Sequence, residues 1–163
     1  AVLRTPVKHL RDVRTHRDKI STFLEVDGTP VRVEFVLEGR IRIEGAIDPV
    51  LGVPVLARDD LYAEKLLANT DRAMDRSQMS RDILDLAMMI QAWGPIPVTA
   101  LDKASGAYGQ AIYDYFDRAL ELIGNDRYRA ECLTAMAMQP SLGPTLLSTL
   151  QTHRPLSGTT VKQ

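Results

Sequence analysis

The chain has 163 residues, 45% of them hydrophobic and 25% charged, with a net charge of −1. That is enough for one compact domain, and the near-neutral balance excludes a chain-wide electrostatic attraction to nucleic acid. One cysteine, Cys132, and three histidines exclude an intrachain disulfide and a four-ligand zinc site of the usual kind. They fit a reducing, cytoplasmic setting. No apolar run approaches the roughly 18 residues of a membrane span.

Residues 4–19 concentrate basic side chains: Arg4, Lys8, Arg11, Arg14, Arg17 and Lys19 against Asp12 and Asp18. Such a segment is either a solvated loop or helix face or a phosphate-facing rim. The first third of the chain otherwise predicts strands. "KISTFLEV" and "PVRVEFVL" flank Asp27-Gly28, a strong hairpin signal. Val31, Val33, Phe35 and Leu37 alternate with Arg32 and Glu34, which predicts one buried face and one charged face. "RIRIEG" alternates again. "AIDPVLGVPVLA" is a loop with a short strand over residues 53–56.

At Asp59 the period changes to that of a helix. Leu61, Tyr62, Leu66, Ala73 and Met74 share one side, with Asp59 or Asp60 as the expected N-cap. After the polar break "DRSQM", Ser80 is placed to cap a second helix running to Trp93 and ending at Gly94-Pro95. Further helices are predicted near 98–107, 108–123, 126–138 and 142–151. The layout is α+β, a small antiparallel or mixed sheet followed by a helical bundle. The expected organisation is a strand-rich part over residues 1–57, a helical region over 58–154 packed on it, and a polar tail over 155–163.

The charges near the helical stripes need an account. Lys65 and Arg72, at i and i+7, project the same way with Asn69 at the edge of the first stripe. In the next helix Asp82 lies at the edge of the stripe formed by Ile83, Leu86, Ala87, Ile90 and Trp93, and Asp85 lies one step around. One reading is an ion pair, Lys65–Asp82 or Arg72–Asp82, tying two helices. The other is a phosphoryl-transfer site in which Lys65 neutralises a nucleotide phosphate, Asp82 orients it, and carboxylates hold a metal. Glu34, on the charged strand face, is a third candidate acid. Cys132 sits in "AECLTAMAM" and reads as a core residue.

The segment "VPVLARDDLYAEKLLANTDR…SRDILDL" resembles the AbiEii/AbiGii-type nucleotidyltransferase toxin family. The resemblance covers residues 29–123, and the pairing of "AEKLLANTDR" with "RDILDL" at this spacing is its specific part. It implies a nucleotidyltransferase-like fold, Mg²⁺, a nucleoside triphosphate substrate, an RNA acceptor such as tRNA, and an antitoxin partner protein. Matched onto this chain, Lys65 and Asp82 take the catalytic positions. Arg72, Arg81 and Asp85 take the flanking, substrate-binding ones, and Glu34 the strand carboxylate for metal. The family's first motif, a Gly-rich turn followed by paired acids, has no counterpart, since the sequence contains no Gly-Gly and no Asp-x-Asp. The expectation is a nucleotidyltransferase-like chain, N-terminally incomplete, that does not transfer a nucleotide alone. Two alternatives remain: a non-catalytic module that binds a partner protein, and a nucleic-acid binder that uses residues 4–19.

Overall fold

A computed structural model of the chain describes residues 8–156. The fold is α+β: strands first, then six α-helices among the described residues. Internal contacts divide it into two compact units that meet at Arg40 and Ile41.

The first unit is an antiparallel meander of β1 (Lys8–Thr15), β2 (Lys19–Val26) and β3 (Thr29–Val36). The Asp27-Gly28 turn has φ of 49° and 75°. Two positive φ values mark the type I′ turn, whose twist matches that of the strands it joins. It sets an unbroken register from Val26↔Thr29 to Lys19↔Val36. The basic segment is therefore strand from Lys8 onward, with register shifts between His9 and Arg11 and between Arg11 and Arg14. Its first residues, including Arg4, lie outside the described part.

The alternation on β3 sorts side chains by face, but the apolar face is not buried. Val31, Phe35 and Leu37 are 38%, 50% and 72% exposed, and Leu24 alone among the described residues of this unit is buried. Period-2 patterning specifies which residues share a face and does not by itself supply a layer to cover them.

The second unit starts at Ile41. "RIRIEG" forms no strand before Gly45, and two contacts, one local and one long-range, explain this. Glu38 binds both the backbone and the guanidinium of Arg40, and the Asp60 carboxylate accepts from Glu44 N at 2.5 Å. The pairing strands are only β4 (Gly45–Ile47) and β5 (Pro54–Leu56).

The helices are α1 (Arg58–Arg72), α2 (Arg81–Trp93), α3 (Val98–Tyr108), α4 (Ala111–Gly124), α5 (Asp126–Ala135) and α6 (Gly143–Thr152). Their facing apolar stripes build one core around Tyr62, Leu66, Ile83, Ile112, Phe116 and Leu146, with Cys132 buried inside it. Among the described residues no helix is long and apolar enough to cross a membrane.

Neither expected N-cap acts as one. Helix α1 begins at Arg58 after Ala57, with no side-chain cap. Asp59 accepts from Thr99 Oγ1. Asp60, fully buried, accepts from Glu44 N and from Lys103 Nζ at 2.6 Å. Both acids still lie in the first turn, where the helix dipole favours them. Because α1 ends at Arg72, Met74 falls beyond the stripe and is half exposed.

A close approach between α5 and α6 gives a stability prediction. Arg129 is buried and donates to Ile123 O at 2.7 Å and to Asp126 at 2.6 Å. A Cβ on Gly143 would stand 2.8 Å from its Nε. Gly143→Ala is expected to cost about 1–3 kcal/mol, the usual range for overpacking. Urea unfolding checks this, and an unchanged midpoint would show that Arg129 can step aside.

Candidate functional site

Helix geometry places the first half of the site. Lys65 and Arg72 are seven residues apart on α1, two turns along one face. Opposite them α2 carries Asp82 in its first turn and Asp85 three residues later. Arg72 grips Asp82 with two prongs, Nε to Oδ2 at 2.5 Å and a terminal guanidinium nitrogen to Oδ1 at 2.9 Å. Lys65 Nζ reaches Asp85 Oδ2 at 2.5 Å and Asp82 Oδ1 at 3.4 Å. Arg81 Nε lies 3.7 Å from Asp85 Oδ2, an i,i+4 pair.

Five of the six candidate residues thus form one network. Three cations against two carboxylates leave it one positive charge. Burial is uneven. The side chain of Asp82 is 4% exposed, those of Lys65 and Arg72 are 29% and 43% exposed, and Arg81 is open to solvent. The anion lies beneath the cations, which present their outer ends to water. Arg72 spends two nitrogens on Asp82 and keeps its remaining one for another acceptor.

Two opposing effects act on Asp82. Burial pushes its carboxyl upward, but the hydrogen bond and charge of Arg72, with Lys65 behind them, outweigh it and hold the group below its ordinary value. The same bond raises Arg72 above its own ordinary value, so the pair stays ionised. Asn69, one turn from each cation on the same face of α1, is buried, and its Nδ2 has no hydrogen-bond partner. A buried amide donor left unpaired is uncommon in a native structure.

The loop into α2 is strained. Met79 and Ser80 both have positive φ, 53° and 48°, a conformation that costs non-glycine residues roughly 1–2 kcal/mol each. Asp75 braces the preceding turn by accepting from Ser77 N at 3.0 Å and Ser77 Oγ at 2.7 Å. Ser80 stands at the N-cap position but does not cap the helix. Its hydroxyl instead meets Tyr128 Oη at 3.0 Å. Sequence periodicity gave no hint of Tyr128, because the contact joins residues 48 apart.

Glu34 belongs to the strand unit. Its carboxylate lies 3.1 Å from Lys19 Nζ and 2.7 Å from an Arg32 guanidinium nitrogen, and the Lys19 bond leads in holding it below its ordinary value. Among the described residues no three His, Cys, Asp or Glu side chains gather as a metal set. Asp82 gives both its oxygens to cations, and Asp85 Oδ2 and Glu34 Oε1 each face two. Among the described residues these acids, neutralised by cations and gathered in no set of three, do not fit a magnesium ion by themselves.

No curated protein matches the chain, and no solved structure matches it. The family model described as "Nucleotidyl transferase AbiEii toxin, Type IV TA system" matches residues 4–150. That span takes in both helices of the charged network, and the chain belongs to the AbiEii nucleotidyl transferase toxin family.

Proposed function

We infer that the α1–α2 network is the phosphate-binding part of a nucleotidyltransferase site that passes a nucleotide from a nucleoside triphosphate to an acceptor. The observation that carries this is Asp82, a buried carboxylate that holds two cations from below while their outer faces stay in water. Phosphoryl transfer asks a protein chiefly for fixed positive charge beside the phosphates. Lys65 and Arg72 supply that charge, and Asp82 and Asp85 fix its position. Arg81 adds long-range attraction.

Helix pairing alone would be served by carboxylates as exposed as the cations, since exposed ion pairs contribute only about 0–1 kcal/mol. Burying the acid fixes two cations in one place, and this favours binding over tethering. The family description adds a toxin of a type IV toxin–antitoxin system. We carry over from it the expected partners: a nucleoside triphosphate with Mg²⁺, an RNA acceptor such as tRNA, an antitoxin protein and a cytoplasmic setting.

The 163-residue chain is expected to incorporate no labelled nucleotide when incubated with nucleoside triphosphates, Mg²⁺ and total tRNA. It has no Gly-Gly turn and no Asp-x-Asp pair, so the carboxylates that would complete a metal site are missing. Incorporation that vanishes in Lys65→Ala would overturn this and mean that other acids in the chain build the metal site.

A further inference from the structure

An open cleft of about 580 Å³ lies where α4 meets α5, beside the turn that follows α1. Its charged lining is Arg76, Arg118, Arg127, Glu121 and Glu131. Arg127 is taken by Glu131 at 3.0 Å. Arg76 and Arg118 pair with no carboxylate among the described residues. Each instead lies over an aromatic ring, Arg76 at 5.3 Å from the centre of Tyr128 and Arg118 at 5.0 Å from that of Tyr115. Stacking steadies a guanidinium plane and leaves its N–H edges free for an anion.

The rest of the lining narrows the ligand. Asn125 Oδ1 accepts from Tyr128 N at 2.9 Å, which leaves the Asn125 NH₂ to donate. Glu121 can accept from hydroxyl or amino groups and would repel a bare anion. Met74 and Leu122 offer apolar surface. A free anion uses only the arginines, whereas a nucleotide also uses the acceptor and the apolar wall. The volume is within the roughly 300–1,000 Å³ of small-molecule sites.

We propose that this cleft, separate from the Lys65–Asp82 network, binds a nucleotide unit, with Arg76 and Arg118 on its phosphate and Glu121 on its hydroxyl or amino groups. The unit is a free nucleotide or the phosphorylated end of a single strand, which share this chemistry. Because Tyr128 lines the cleft and also meets Ser80 ahead of α2, the occupant touches the residue that braces the strained start of the site helix.

The test is an amide NMR titration of the full chain with nucleoside monophosphates, a 5′-phosphorylated tetranucleotide, the matching nucleoside and inorganic phosphate. A monophosphate or the oligonucleotide should bind with Kd below about 1 mM, shifting Tyr128, Asn125 and Leu122. The tighter of the two identifies the source. Arg76→Gln with Arg118→Gln, both on the surface, should weaken binding at least tenfold with an unchanged circular dichroism spectrum. The shifts of Tyr128, Asn125 and Leu122 should titrate with the same midpoint in Lys65→Met, which separates this cleft from the network. No saturable shift, equal affinity in the double variant, or inorganic phosphate binding as tightly as the nucleotide would overturn the proposal.

Discussion

Asp82→Ala should destabilise the protein by about 2–3 kcal/mol at neutral pH. Removing one partner of a fully buried ion pair costs roughly 3–5 kcal/mol, because the stranded charge has lost its solvent as well. Here the stranded groups are Lys65 and Arg72, whose outer ends already reach water, and Lys65 keeps Asp85 at 2.5 Å. Both facts lower the cost. For a chain of this size the loss corresponds to a melting temperature roughly 5–10 °C lower.

The pH dependence has a definite sign. The folded Asp82 carboxyl is held below its ordinary value. Its contribution is therefore fully present above the unfolded value of about 3.9 and is lost as pH falls through the lower folded value. The difference in stability between wild type and Asp82→Ala should be constant from pH 7 to 5 and shrink below about pH 4. A difference that vanishes by pH 6 would mean that the ionised carboxylate is not what the variant lost. Asp82→Asn, which keeps an acceptor but no charge, should fall between the two.

Much of the second unit was legible in the sequence for a physical reason. Helix α2 starts and stops where Ser80 and Gly94-Pro95 predict it, and the candidate cations and acids of α1 and α2 meet because helical spacing fixes which residues share a face. The first unit was legible only in part. Alternation located β2, β3 and their turn, but burial depends on a covering layer that a strand's own pattern does not encode. The same limit hid the partners of the buried Asp60 and the Tyr128–Ser80 contact, which join residues 16 to 48 apart in the chain. "RIRIEG" failed as a strand because Asp60 claims the amide of Glu44, a long-range capture that overrides local propensity.

Lys65→Met separates tethering from binding. Its ammonium is partly exposed and shares Asp82 with the two-pronged Arg72, so its ion pairs contribute at most about 1 kcal/mol to stability. Methionine keeps the aliphatic stem and the helix propensity. The melting temperature should therefore change little. If Lys65 lies on a phosphate, affinity should fall at least tenfold, about 1.4 kcal/mol.

Calorimetric titration of a nucleoside triphosphate with Mg²⁺ decides the matter, run in the Arg76→Gln, Arg118→Gln background so that the α4–α5 cleft does not contribute. The protein with Lys65 in place should bind at least ten times more tightly than the one carrying Lys65→Met, at matched melting temperatures. Equal affinity in the two would contradict the assignment of the α1–α2 network as a phosphate site and leave it as a tie between helices.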